Sequence, residues 1–228
     1  MEEKKPVIEL ELYLIRHGQS MGNAGYDKEE LTIREQHDPL LTEKGLRQAD
    51  LAGRYLSDID FDHIYSSGLI RAICTADAII RYQKEKKPLN ILPHLCEVGI
   101  TSEYNGLTLE EMKEFCKTAQ LAEGVSKDSP SVYHSSFENE DEIFERAKSV
   151  MNHMRSRYAN GEKVAVVAHA AFLTILIFQI MGYEVCPIFD ISLQNTGITK
   201  VVFYKSGTNP YGDISFEYIN ETAHLKNI

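Results

Sequence analysis

Two histidines each stand at the end of a short apolar run: Leu12-Tyr-Leu-Ile leads into Arg16-His17-Gly18, and Lys163-Val-Ala-Val-Val-Ala leads into His169-Ala170. An imidazole at a strand end is usually a satisfied core group, yet it is also the side chain best suited to give or take a proton near neutral pH. The company of arginine changes its meaning here. Arg16 adjoins His17, and Arg71 falls one turn into the helical pattern that follows Ser66-Ser67. A guanidinium is the natural bidentate partner of a phosphate or carboxylate, and helix N-termini opening behind these strands add backbone N–H donors, so the set describes an anion pocket. The chain has no Gly-x-x-x-x-Gly-Lys-Ser/Thr loop for a nucleotide, and no His-x-His, His-Glu-x-x-His or clustered Asp set for a metal. Among phosphate chemistries, covalent catalysis by an imidazole remains.

These residues meet only if the elements that carry them are parallel neighbours. Leu12 to Ile15 has the apolar continuity of a buried strand, as have Phe61 to Ser66 and Lys163 to Ala168. Leu46, Ala49, Gly53 and Leu56 recur at helical spacing after a loop containing Asp38-Pro39. Ile70, Ile73, Ala76 or Asp77, and Ile80 mark one face of a helix from Leu69 to about Lys84. Thr108-Leu-Glu-Glu reads as a capping box. A long helix opens at Asn139 with Glu140, Asp141 and Glu142 near its positive end. Residues 123–137, rich in Ser, Gly and Pro and without periodicity, read as a loop or flap suited to substrate gating. Ala171 to Met181 is a buried helix stopped by Gly182, and Gly197 to Tyr204 and Ile214 to Ile219 are two further strands joined through Asn209-Pro210-Tyr-Gly. The alternation predicts an α/β three-layer sandwich: a mainly parallel central sheet, helices on both faces, and a helical cap inserted over residues 98–160 of a single domain spanning 1–228. In such sheets ligands bind at the C-terminal strand edge, where Arg16, His17 and His169 emerge.

Charge narrows the partners. The formal charge is −10, and the stretch from Glu97 to Glu145 holds twelve Asp or Glu against three Lys. That field argues against nucleic acid or an anionic membrane as partner. The apolar run from Val164 to Gly182 contains His169, Thr174 and Gln179, and a buried strand followed by a buried helix explains it better than a membrane span. The start, Met-Glu-Glu-Lys-Lys-Pro, has no signal or transit pattern. Cys74, Cys96, Cys116 and Cys186 form no Cys-x-x-Cys pair and read as reduced thiols of a cytoplasmic protein. No cofactor is called for.

Taken in order, Leu-Ile-Arg16-His17-Gly18-Gln-Ser, Ser66-Ser-Gly-Leu-Ile-Arg71-Ala, Leu95-Cys-Glu97 and Val-Val-Ala-His169 resemble the histidine phosphatase superfamily, or phosphoglycerate mutase-like family, over most of the chain. The resemblance implies that His17 becomes phosphorylated, that Arg16, Arg71 and His169 hold the phosphoryl group, and that Glu97 donates a proton. It places Asn23, Gln19 and the Ala170 N–H as substrate-binding groups. Glu103, Glu110 and Glu111 are rivals of Glu97 by proximity, and acidic neighbours are expected to help it hold its proton. Arg71 has a blander reading, a surface pair with Asp77 or Glu85. The chain departs from the family pattern at Gln19 for Glu, Gly68 for Pro, Asn105-Gly106 for Glu-Gly, and Ala168-His-Ala170 for Ser-His-Gly. If residue 170 needs a positive φ, alanine there costs on the order of 1 kcal/mol. The implied function is a metal-independent phosphomonoesterase acting on a small phosphorylated substrate through phosphohistidine. A phosphoglycerate-type mutase is the alternative, disfavoured by the absence of Trp and by the acidic insertion. A catalytically silent phospho-ligand binder is the third reading, kept open by Gln19 and Ala170.

Overall fold

The apolar run before Arg16 is the second half of a nine-residue strand, β1 (Ile8–Arg16). The computed structural model describes residues 5–25, 31–185 and 190–226, so Cys186 lies outside the described residues. Along β1 the side chains alternate: Leu10, Leu12 and Leu14 enter one core, and Tyr13 and Ile15 enter the other. A strand buried on both faces needs apolar residues at every position, which is why the sequence shows continuity there and no alternation.

The remaining elements follow in chain order. Helix α1 (Ile33–His37) and helix α2 (Glu43–Tyr55) precede β2 (His63–Ser66), α3 (Ile70–Tyr82) and β3 (Leu89–Ile91). Then come α4 (Leu109–Phe115), β4 (Ala119–Leu121), α5 (Glu140–Arg155), β5 (Glu162–Ala168), α6 (Ala170–Ile180), β6 (Ile198–Tyr204) and β7 (Ile214–Glu221). They form one seven-stranded sheet in the order β4-β3-β2-β5-β1-β6-β7. β1 to β5 run parallel, and β6 pairs antiparallel with both β1 and β7. Helices α5 and α6 cover one face, where Ala147, Val150, Phe172 and Leu176 meet Leu12, Val164 and Val166. α3 and α4 cover the other, where Ile73, Ile79 and Met112 meet Ile15, Ile64 and Val167. Fully burying one such Leu, Ile or Phe contributes about 1.5–3 kcal/mol, so the two cores, not the edge strands, hold the sheet.

Local signals read from the sequence locate several helix starts. Thr108 and Asn139 each cap a helix whose third residue, Glu111 or Glu142, reaches back to the cap backbone. The same box opens α1 at Thr32 with Glu35. Among the described residues, no helix is long and apolar enough to cross a membrane.

The helical insertion expected over 98–160 is woven into the layers and does not stand apart as a cap. β4 extends the sheet, α4 packs on α3, and α5 packs on α6. The cause is the apolar face of α5, where Phe144, Ala147, Val150, Met151 and Met154 are buried at helical spacing. Two irregular stretches, 97–107 and 130–138, instead meet each other beyond the strand ends. Ser131 N–H donates to the Asn105 carbonyl at 3.2 Å, its hydroxyl to the Leu107 carbonyl at 2.7 Å, and Val132 packs with Ile100, Tyr104 and Leu69. The second half of the expected 123–137 flap is therefore tied down by hydrogen bonds and burial.

Gly68 is explained by this tie. A Cβ on residue 68 would fall 1.9 Å from the Ser131 carbonyl oxygen. Gly68→Ala should push the loop off the strand end and cost about 1–3 kcal/mol, a fall of several degrees in melting temperature. An unchanged melting temperature would show that the 131 turn contributes nothing to stability.

Candidate functional site

Register brings the site together. Arg16 is paired with Ala168 across β1 and β5, and Ser66 with Val167 across β2 and β5, so the three strands end level. His17 N–H then donates to the Ala168 carbonyl at 3.0 Å, and Ser67 N–H to the Val167 carbonyl at 3.2 Å. The next residues, His17 and His169, face one another with ring centroids 5.0 Å apart. Both imidazoles are almost wholly buried. Close approach of the following loop to α2 needs glycine on both sides: a Cβ on Gly18 would meet the Gly45 carbonyl at 2.5 Å, and one on Gly45 the Gln19 carbonyl at 2.0 Å.

The protonation of His17 follows from its partner. Nδ1 lies 2.7 Å from the Gly18 carbonyl, which can only accept, so Nδ1 carries the hydrogen and Nε2 keeps a lone pair. Burial, with the cations of Arg71 and Arg16 beside it, pushes the His17 imidazole well below its ordinary 6.5. His169 is displaced the same way, by burial first and then by Arg71, His17 and Arg16. Its Nε2 is 2.7 Å from the Ser67 hydroxyl, while Nδ1 is buried with no hydrogen-bond partner among the described residues. Two neutral rings are thus set among fixed positive charge.

Each arginine is anchored at one end. Arg16 Nη1 donates to the Leu193 carbonyl at 2.7 Å, and its buried Nε has no hydrogen-bond partner among the described residues. Arg71 Nη1 donates to the His37 carbonyl at 3.0 Å and stands 3.7 Å from Asp38 Oδ1, with the guanidinium nearly buried. The surface pairing weighed for Arg71 does not occur, because Asp77 pairs with Arg81 and Glu85 with Lys87.

Glu97 caps helix α6. Its Oε1 accepts from Phe172 N–H at 3.1 Å and Val98 N–H at 3.0 Å, and its Oε2 from Ala171 N–H at 3.4 Å. In place of the acidic surroundings expected of it, Glu97 has Arg16 and Arg71 near enough to feel its charge. Its rivals lie elsewhere. Glu103, Glu110 and Glu111 are exposed; Glu110 pairs with Lys113, and Glu111 closes the capping box of α4. The structure therefore gathers His17, His169, Arg16, Arg71 and Glu97.

The peripheral positions differ from one another. Ala170 opens α6 directly behind the N-cap residue His169 and has no positive φ, so alanine there carries no left-handed penalty. Asn23 is exposed, its Oδ1 accepting from Ser20 N–H and from Asn195 Nδ2. Gln19 accepts from the Thr42 hydroxyl at 2.8 Å, an arrangement that fixes the loop against the N-cap of α2. Among the described residues, no three His, Cys, Asp or Glu side chains are grouped to hold a metal ion.

Four groups around the site carried little or no sequence signal of their role. Thr75 accepts from Gly18 N–H at 3.0 Å and donates to the Arg71 carbonyl at 2.7 Å, locking the His17 loop to α3. Asn195 Nδ2 donates to the His17 carbonyl at 3.0 Å. Thr196, held at φ 57° although β-branched, gives its N–H to the Arg16 and His17 carbonyls. Such a residue costs of order 1–3 kcal/mol and persists only where its surroundings over-determine it. Asp38 is the fourth: wholly buried, it accepts from Ile70 N–H at 2.8 Å and from the Tyr104 hydroxyl at 2.8 Å. Asp38-Pro39 reads in sequence only as a turn.

Parallel strand ends that carry imidazoles and guanidiniums into one crevice mark the class of α/β proteins built around an oxyanion. Within that class the chain belongs to the histidine phosphatase superfamily, whose branch 1 model matches residues 12–210. Over 110 residues the chain is 39% identical to the fructose-2,6-bisphosphatase TIGAR of Xenopus laevis, a stretch making up 47% of this chain and 38% of the frog protein. That match thus spans less than half of the relative's length. Over 216 residues it is 28% identical to the probable phosphoglycerate mutase GpmB of Cronobacter sakazakii, covering 95% of each chain. Among solved structures it is similar to phosphoserine phosphatase of Entamoeba histolytica in complex with 3-phosphoglyceric acid, with TM-score 0.60, 23% identity and coverage of 95% of this chain and 99% of that one. It is also similar to phosphoglycerate mutase of Bacillus anthracis, with TM-score 0.64, 22% identity and coverage of 98% of both. At such identities the structural likeness concerns the fold.

Burial pushes the Asp38 carboxyl up from its ordinary 3.8 to about 6, against the pull of Arg71, Tyr104 and the Ile70 N–H. A folded-state value above the unfolded one means that this group's contribution to stability is whole below about 3.8 and is lost as pH rises through about 6. Asp38→Asn should therefore gain stability relative to the wild type between about pH 4 and about pH 7, by on the order of 2–3 kcal/mol. Chemical denaturation of both proteins across that range measures the swing, and a pH-independent difference would exclude titration of Asp38 in this window.

Proposed function

We propose that the chain is a metal-independent phosphomonoesterase that passes the phosphoryl group of a small phosphorylated substrate through His17. One observation carries the reading: the Nδ1–H of His17 is held by the Gly18 carbonyl, which leaves Nε2 its lone pair, and burial together with the charges of Arg71 and Arg16 favours the neutral ring. In the first step Nε2 attacks phosphorus, the bond to the leaving oxygen breaks, and Glu97 as a carboxylic acid gives that oxygen its proton. Arg16, through its free Nε, and Arg71 offset charge on the equatorial oxygens. In the tautomer whose Nε2 accepts from the Ser67 hydroxyl, His169 offers Nδ1–H as a further donor. Asn23, Gln19 and the Ala170 N–H line the approach. In the second step water attacks phosphohistidine, Glu97 takes its proton, the P–N bond breaks, and inorganic phosphate leaves.

The similarity to TIGAR and to phosphoserine phosphatase supports hydrolysis and a small phosphate ester as substrate. The similarity to GpmB, over nearly the full length of both chains, favours a second reading in which phosphohistidine persists and returns the group to another oxygen. The absence of Trp and the acidic charge of residues 97–145 weigh against it.

Hydrolysis of an aryl phosphate should survive EDTA and should not need bisphosphoglycerate, and His17→Ala should abolish it while the circular dichroism spectrum is kept. A metal requirement would overturn the reading. Labelled substrate should leave an acid-labile, base-stable label on His17.

Glu97→Gln removes the proton and keeps the size. In single-turnover measurements of the first step, transfer from alkyl phosphates should fall by about 10²–10⁴-fold, and from p-nitrophenyl phosphate much less. Equal losses would show that Glu97 is not the acid.

A further inference from the structure

A buried arginine on α5, outside the set that gathers at the strand ends, touches the segments on both sides of Glu97. Arg146 is almost fully buried and makes a bidentate pair with Glu138, Nε to Oε1 and Nη2 to Oε2, both at 2.8 Å. Its remaining nitrogen, Nη1, donates to the carbonyls of His94 at 2.9 Å and Cys96 at 2.8 Å. The peptide just before Glu97 is thereby fixed. On its flat face the same guanidinium lies 4.3 Å from the ring centroid of Phe172, the residue whose N–H receives the Glu97 carboxylate. One group thus holds both the turn that leads into Glu97 and the helix turn that accepts it.

Ser135 completes the clamp from the other side. Its hydroxyl donates to the Glu97 carbonyl at 3.0 Å and accepts from Gly99 N–H at 2.9 Å and Ile100 N–H at 3.2 Å. Ser135 and Glu138 lie on the same short turn, closed by Glu138 N–H on the Ser135 carbonyl at 3.2 Å. A buried ion pair is weak evidence of net stability, since two apolar residues of similar volume often replace one at no cost. What a fully hydrogen-bonded guanidinium supplies that apolar side chains cannot is direction, and here all of its direction is spent on the backbone flanking Glu97 and on its partner Glu138.

We propose that Arg146, Glu138 and Ser135 are positioning residues for the proton donor, so that their loss impairs protonation of the leaving group and leaves phosphate binding intact. This rests on Glu97 being the general acid. The phosphoryl-binding groups His17, Arg16 and Arg71 make none of these contacts: they are anchored by Gly18, Leu193 and His37.

The test compares Ser135→Ala and the double variant Arg146→Met/Glu138→Met with the wild type and with Glu97→Gln. The double variant avoids leaving one buried charge unpaired, and Ser135→Ala serves if the double variant does not fold. The first step is measured by single turnover with an alkyl phosphate and with p-nitrophenyl phosphate, and vanadate affinity is measured by competition. Misplacement of a catalytic group costs up to about 100-fold, so the alkyl reaction should fall about 10- to 100-fold and the aryl reaction less than about threefold. Vanadate should bind within about threefold of wild type. Adding either variant to Glu97→Gln should cause no further alkyl-selective loss, because the proton that these residues position has already gone. Equal alkyl and aryl losses, weakened vanadate binding, or additive losses with Glu97→Gln would each overturn the proposal. If Glu97→Gln shows the leaving-group dependence and these variants do not, the proposal alone falls. If Glu97→Gln lacks it, the reading of Glu97 as the acid falls and the proposal with it.

Discussion

The site depends on three parallel strands that stop level. Because β5 lies between β1 and β2 in register, with Arg16 opposite Ala168 and Ser66 opposite Val167, the next residue of each chain segment emerges at one place. His17, Ser67 and His169 are those residues, and their backbone hydrogen bonds continue the ladder one step beyond the strands. A one-residue slip of β1 would turn His17 to the opposite face and exchange its two buried faces, which the alternation of Leu12 and Leu14 with Tyr13 and Ile15 opposes. Core packing and active-site assembly are therefore one constraint.

The two sides of the sheet take different shares of the chemistry. From the face covered by α3 come Arg71 and the groups that hold it or the His17 loop: Asp38, the His37 carbonyl and Thr75. From the face covered by α5 and α6 come Glu97 and the groups that hold it: Arg146, Ser135 and the first turn of α6. The groups proposed for phosphate recognition and for proton transfer are thus held by separate hydrogen-bond networks that meet at the strand ends. Asp38 and Tyr104 provide the bridge, since Tyr104 lies on the stretch that begins at Glu97 and its hydroxyl ends on the carboxylate beside Arg71.

Burial gives these groups their chemical character. An imidazole kept from water beside two guanidiniums loses its proton readily, and what would be a poor nucleophile as an imidazolium becomes a neutral base with a directed lone pair. The same desolvation strengthens the field of Arg16 and Arg71 on any anion that enters.

The sequence alone determined what local periodicity and short-range chemistry can specify. The strands leading to His17 and His169 are continuous apolar runs, the capping boxes at Thr108 and Asn139 close within three residues, and the order of Arg16, His17, Arg71, Glu97 and His169 matches a family pattern. It did not show β3 and β4, which at three residues each are too short to display a period. Nor did it show that 98–160 joins the sheet and its faces, because an apolar helix face says that something covers it and not what. Tertiary structure decided the rest. Asp38 meets Tyr104 across 66 positions, Asn195 meets His17 across 178, and Arg146 meets Cys96 across 50. No spacing rule reaches that far, since such contacts exist only once burial has brought the elements together. The surroundings of Glu97 make the point: the charges that follow it in sequence are acids, but its neighbours in space are backbone N–H groups and arginines, because the fold delivers it to a helix N-terminus, which attracts a carboxylate.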